Sequence, residues 1–339
     1  MESPRPPADK PTLSTPWSES GWLEAVQDWI EPILAQHGLR PTGPLDPFHI
    51  RPWSTVLRVP TQNGLLFFKA SAPALFHEPV LTAFLARLRP DISPDLLAVN
   101  LEHGWMLMRD SGTPLRALIR PTQSLSAWKP ILPLFAGLQR QLADYAPHLL
   151  ALGVPDRRLD TLPDQYSALL EDSQALCTGQ PDGLSLEESR RLLHGRGEFE
   201  RQCKELASFP ILPSLHHDDF HDGNLFVQDG RVTFTNWGES ALAHPFFSLV
   251  VLLRGATNSL GLGSDAPELD ELRRWYLDAW ADLLPALELK RAAGLAERIG
   301  LVNRALTWQH VISSLAPDLR SAYAPAVPSY LQDYLNAPE

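Results

Sequence analysis

Nine consecutive residues hold the densest chemistry in this sequence. His216-His217-Asp218-Asp219-Phe220-His221-Asp222-Gly223-Asn224 contains three histidines, three aspartates and an asparagine. An apolar run, Leu225-Phe226-Val227, follows directly, then a turn at Gln228-Asp229-Gly230 and a second β-like run from Arg231 to Thr235. That run ends in Asn236-Trp237-Gly238-Glu239. A polar loop therefore feeds a hairpin whose far end carries a second polar group. Polar loops held by short buried strands are where catalytic groups concentrate.

Several chemistries can be weighed against this pattern. His217 and His221 are four apart, so on a helix they would share a face and could hold zinc together with His216. Asp222-Gly223-Asn224 is turn chemistry and opposes a helix. The glutamate of a zinc-protease helix is also missing after His217. No G-x-S-x-G supports a nucleophilic serine. No G-x-x-x-x-G-K or G-x-G-x-x-G occurs, which excludes a P-loop and disfavours a Rossmann dinucleotide site.

Phosphoryl transfer uses every part. It needs a carboxylate beside the attacking hydroxyl, oxygen ligands near the phosphates, and a strand lysine paired to a helix glutamate. Lys69 closes the apolar run Leu65–Phe68, and Glu78 lies in the first turn of the next expected helix. A break at Asp110-Ser111-Gly112-Thr113-Pro114 follows. Asp219 comes next, with Asn224 five residues on and Asn236 after the hairpin. That is the kinase order of parts.

The elements that must position these groups fall into two halves. A helix is expected from a Ser18 or Ser20 cap through Trp22, Val26, Trp29, Ile30 and Ile33 to Gly38. Strands are expected at 48–53, 55–60 and 65–70, then a helix carrying Leu81, Phe84, Leu85 and Leu88, then strands at 95–99 and 105–108. Beyond the break, helices are expected over 128–145, 165–176, 186–206, 244–253, 270–284, 287–315 and 327–335. The hairpin at 225–235 is the only strand pair expected there. The expected organisation is a disordered or extended tail at 1–17, a β-rich, nucleotide-binding N-lobe at 18–112 and a helical C-lobe at 113–339 with the substrate cleft.

Length and composition agree. The chain has 339 residues, a 44% hydrophobic fraction and two cysteines, Cys177 and Cys203. Two cysteines make no disulfide framework and point to a reducing cytoplasm. The polar, Pro-rich N-terminus has no apolar segment of a secretory signal. No run is long enough to span a bilayer, so no membrane partner is expected. The net charge of −11 argues against a nucleic-acid partner. The segment after Thr113 carries eight more acidic than basic residues, which fits an amine-bearing small substrate and a neutral sugar nearly as well.

His217-Asp218-Asp219-Phe220-His221-Asp222-Gly223-Asn224 resembles the H-G-D-x-H-x-x-N signature of the aminoglycoside phosphotransferase and choline kinase-like family. Asn236-Trp237-Gly238-Glu239 followed by His244-Pro245 is similar to that family's D-W-x-x and D-P segments. The resemblance covers residues 20–335. It implies an α+β, protein-kinase-like two-lobed fold that moves the γ-phosphoryl of ATP or GTP to a small hydroxylated substrate, with Mg²⁺. It implies Asp219 as catalytic base, Asn224 and Asn236 as metal ligands, and His217 and His221 as loop-bracing groups. Lys69 would hold the phosphates and Glu78 would orient it. Ser54 and Thr55, within 52–55, would cover the phosphates. Met108, Arg109 and Ser111 would form the hinge that meets the base, with Leu107 and Met108 as apolar walls.

Two departures stand out. The 51–56 loop has no glycine. Asn236 stands where the family has an aspartate, and a neutral carbonyl holds Mg²⁺ less well than a carboxylate. The rival expectation is a weak or inactive pseudokinase that binds nucleotide or ligand.

Overall fold

A computed structural model describes residues 13–338; residues 1–12 of the expected tail lie outside the described residues. The described end of that tail is structured. Residues 15–20 form turns, and Trp17 is buried with its indole Nε1 donating to Arg51 O at 2.6 Å.

Helix α1, Trp22–Gln36, starts after Gly21 rather than at a serine cap, because Gly21 adopts the left-handed conformation and no side chain caps the helix. The first five strands are β1 (Asp46–Arg51), β2 (Ser54–Thr61), β3 (Gly64–Ser71), β4 (Leu96–Asn100) and β5 (Trp105–Arg109). They form an antiparallel sheet in the order β1-β2-β3-β5-β4. Alternation gives the sheet two unlike faces. Leu57, Val59, Leu66, Phe68 and Leu107 point into a core with Val26, Ile30 and Leu34 of α1. Trp29 meets Phe68 and Trp105 edge-on at 5.9 and 5.8 Å. Helix α2 (His77–Leu88) crosses between β3 and β4 in the chain, and its Leu81 and Leu85 pack into the larger core of the helical half.

Short β6 (Thr113–Pro114) then leads into α3 (Leu115–Thr122) and α4 (Ile131–Leu142). Five helices follow: α5 (Ala146–Ala151), α6 (Leu162–Leu169), α7 (Ser173–Leu176), α8 (Leu186–His194) and α9 (Arg196–Ala207). The expected helix over 186–206 is broken at Gly195. The strands β7 (Ser214–His216), β8 (Leu225–Gln228), β9 (Arg231–Phe234) and β10 (Ala241–Ala243) carry and flank the polar loop. Last come α10 (Ser248–Leu260), α11 (Pro267–Leu277), α12 (Ala286–Ser314), α13 (Pro317–Arg320) and α14 (Ala326–Asn336).

The hairpin is not the only strand pairing in this half. β7 pairs with β10, and β6 joins β8 to make a three-stranded β6-β8-β9 sheet. Both extra pairings are two or three residues long, too short to show a period in sequence. Gly112 fixes the meeting of the break with the hairpin. Its φ is 97°, and a Cβ there would lie 2.6 Å from Val227 O. No helix among the described residues is long and apolar enough to cross a membrane.

Candidate active site

Between the sheet and the helical body lies a cleft of about 940 Å³. Lys69 reaches into it from β3. Its Nζ donates to Glu78 Oε1 at 2.5 Å and to Asn236 Oδ1 at 2.6 Å. Ser71 Oγ donates to the other Glu78 oxygen at 2.7 Å. Glu78 is fully buried, so both its oxygens depend on these partners. Gly238 makes the approach possible, since a Cβ there would sit 3.0 Å from Glu78 Oε2.

Asp219 faces the same cleft. Its Oδ2 accepts from Asn224 Nδ2 at 2.7 Å and from Asn236 Nδ2 at 3.0 Å. Asn224 Nδ2 also donates to Asp219 O at 2.8 Å. Chemistry fixes how these amides point: a lysine only donates and a carboxylate only accepts. Asn236 therefore aims its oxygen at Lys69 and its N–H at Asp219. The three residues form one chain, Lys69–Asn236–Asp219. The backbone of Asn236 helps to present the side chain, with φ 66° in the left-handed region that asparagine tolerates better than most residues.

This geometry tests the Mg²⁺ expectation. Asn236 has one acceptor oxygen, and Lys69 holds it. Asn224 turns its N–H to Asp219, leaving only a neutral oxygen. Among the described residues no group of three or more His, Cys, Asp or Glu is placed to hold a metal ion. The pair Asn224 and Asn236, as arranged, does not fit a hard divalent cation held by protein side chains.

The histidines are structural partners. His217 Nδ1 accepts from Asp219 N at 3.2 Å, and its Nε2 donates to Thr235 O at 2.9 Å. Using both nitrogens in this way defines a neutral ring that braces the loop against β9. His221 Nδ1 accepts from Gly223 N at 2.9 Å, and its Nε2 lies 3.5 Å from Asp219 Oδ2. His216 bridges Ser248 Oγ at 2.8 Å and Asp218 Oδ1 at 2.9 Å. Asp222 is bound by Arg116 Nε at 2.8 Å.

Sequence reasoning missed Arg304. It rises from α12, almost fully buried, and binds Glu239 Oε2 closely. Its other ion pairs among the described residues are with Asp219 Oδ1 at 3.7 Å and Asp218 Oδ2 at 3.8 Å. Three carboxylates thus share one guanidinium, and their protons separate. Burial pushes the Asp219 carboxyl up, but the His221 hydrogen bond and charge, with the Arg304 guanidinium, outweigh it and hold it well below the usual carboxylate range. Burial and the neighbouring aspartates push Glu239 up to about 7 against the pull of Arg304.

These shifts act on stability in opposite directions. Burial lowers His77 and His217 to about 4 and His244 to about 3. The unfolded chain binds those protons first, so stability is lost as pH falls from 6.5 toward 4. Glu239 has a raised folded value, so its contribution is present below 4.5 and is lost as pH rises through about 7. Urea midpoints should therefore drop below pH 6.5. Glu239→Gln should gain stability relative to the parent between pH 4.5 and 8. A difference that stays constant across that range would rule out a raised Glu239.

The expected nucleotide-side residues divide by strand parity. Lys69 pairs with Val56 on β2 and Met106 on β5, so these share its face. Ser54, Met106, Met108, Arg109 and Ser111 line the cleft. Thr55 and Leu107 are fully buried on the opposite, core side. Thr55 is thus not brought to the phosphate region, and Met106 takes the wall position expected of Leu107. The turn at 52–53 is pinned. Trp53 packs edge-on against Tyr323 at 4.8 Å and Trp308 at 5.5 Å.

A five-stranded antiparallel sheet over a helical body, with a Lys–Glu pair above an Asp–Asn loop, defines a protein-kinase-like two-lobed fold. Solved structures with this fold include a macrolide 2′-phosphotransferase type I, 14% identical, with TM-score 0.58 over 89% of this chain and 97% of that one. A Plasmodium vivax ethanolamine kinase matches at 13% identity and TM-score 0.62, over 93% and 88%. A choline/ethanolamine kinase family protein from Mesorhizobium loti matches at 18% and 0.58, over 93% and 94%. No protein-family model matches the sequence, and no curated protein does. The fold is the one implied by the resemblance to the aminoglycoside phosphotransferase and choline kinase-like family.

Proposed function

We propose that the protein transfers the γ-phosphoryl group of ATP or GTP to a hydroxyl of a small molecule. The observation that carries this reading is the Lys69–Asn236–Asp219 chain at the base of the cleft. Lys69 would bind the phosphates, and Glu78 would hold it extended toward them. The apolar walls Met106 and Met108 suit a nucleobase. Asp219 would accept a hydrogen bond from the acceptor hydroxyl and aim its lone pair at the phosphorus. Its low proton affinity suits orientation of the hydroxyl better than early removal of its proton.

The likeness to structures named for macrolide, ethanolamine and choline substrates supports a small, amine-bearing acceptor. The acidic excess after Thr113 supports it too. The test is transfer of labelled γ-phosphoryl to a panel of aminoglycosides, amino sugars, macrolides, amino alcohols and neutral sugars. Acceptor-dependent product is expected. A second reading, nucleotide binding without transfer, is favoured by Asn236. Nucleotide binding with no labelled product from any acceptor would replace the first reading with the second.

A further inference from the structure

Among the described residues, the cleft contains one cation that the fold leaves unspent. Its other Lys and Arg side chains are paired: Arg58 with Asp46, Lys69 with Glu78, Arg109 with Asp95, Arg116 with Asp222 and Arg304 with Glu239. Arg51 makes no ion pair among the described residues; its one side-chain hydrogen bond is to the neighbouring Ile50 O at 3.1 Å.

Its placement is built. β1 shifts register between Pro47 and His49, and both His49 and Arg51 line the cleft. His49 pairs with Val56, which pairs with Lys69, so the three lie in one row across the sheet. Two strand spacings separate His49 from Lys69, roughly 10 Å. The Arg51 carbonyl is held by Trp17, and the adjoining turn is held by Trp53 against Trp308 and Tyr323. A glycine-rich loop works through free backbone N–H groups that close on phosphate. Here Pro52 has no N–H, and the turn is anchored. This roof offers fixed positive charge instead.

The base of the cleft points the same way. An aspartate at 236 would put a carboxylate about 3 Å from Asp219 Oδ2, and two such charges need a cation between them. The Asn236 amide meets Lys69 and Asp219 directly, donor to acceptor, with no cation required.

We propose that this cleft binds a nucleoside triphosphate without a protein-held divalent cation. Arg51 supplies the charge over the phosphates, with the His49 imidazole beside it as a hydrogen-bonding group, and the Asn236 amide joins Lys69 to Asp219 directly. The proposal rests on the nucleotide-dependent reading given above.

The test is calorimetric titration of the full chain with ATP and with GTP, in EDTA and in excess MgCl₂. The Kd in EDTA should lie within about threefold of that in Mg²⁺. Arg51→Ala, a change on an exposed strand position, should weaken binding in EDTA by about 10-fold or more. Asn236→Asp should weaken metal-free binding by about 10-fold, with Mg²⁺ restoring it. Binding seen only with Mg²⁺, or an Arg51→Ala Kd equal to the parent's, overturns the proposal and leaves the kinase reading standing. Absence of ATP and GTP binding in both buffers overturns both.

Discussion

Asp219→Ala should lower kcat for phosphoryl transfer by about 10²–10⁴-fold, the range for loss of a positioned general base. Nucleotide affinity should stay within a few fold, because the groups proposed to meet the phosphates are Lys69 and Arg51. The Asn224 and Asn236 amides would lose their shared acceptor at Oδ2, yet both line the open cleft, where water can take over. Asp219→Asn separates shape from charge. It keeps the side chain's size but loses the anion that attracts the hydroxyl proton, so it should be nearly as slow as alanine. Single-turnover transfer beside equilibrium nucleotide titration reads both quantities. An alanine variant with the parent's kcat would remove Asp219 from the reaction. Because its carboxyl stays ionised far below neutrality, log kcat should also be flat between pH 5 and 6 as far as Asp219 is concerned.

Lys69→Ala should destabilise the protein by about 3–5 kcal/mol, the cost of leaving half of a buried ion pair. Glu78 is fully buried and would keep only Ser71 and whatever water enters the cleft. Asn236 would lose the partner of its oxygen at the same time. The double variant Lys69→Met/Glu78→Gln should recover most of that stability, because no charge is then stranded. It should not recover nucleotide binding. Urea midpoints of the parent, both single variants and the double variant give the coupling. If the two single losses simply add in the double, the pair is not an energetic unit.

The order of parts was legible because each part leaves a local mark. Lys69 closes an apolar strand, Glu78 opens a helix, and Asp219 and Asn224 stand five apart before a hairpin. The break at 110–112 and the five-stranded sheet followed from turn residues and alternation. Thr55 and Leu107 went astray for a readable reason. Side chains alternate at period two, and once Lys69 faces the cleft, its cross-strand neighbours Val56 and Met106 must face it too. Cross-strand register, which a single run does not display, decided between neighbours. Arg304 left no such mark. It lies 65 residues beyond Glu239 in the chain, on a helix buried on several sides, where a charged residue reads as solvent-facing. The orientation of the two asparagine amides was equally out of reach, since it follows from what meets them.

Helix α12 has 29 residues, so it runs roughly 43 Å at 1.5 Å per residue. Its middle, from Ala292 to Leu306, packs in the larger core, while Val311 and Leu315 at its end pack in the smaller one. Trp308 sits at the junction and touches the roof turn through Trp53. The two cores should therefore melt together rather than independently. Loss of helix at either end strips a wall from the other, which makes α12 the cooperative link of the chain and ties the width of the cleft to global folding rather than to a free hinge.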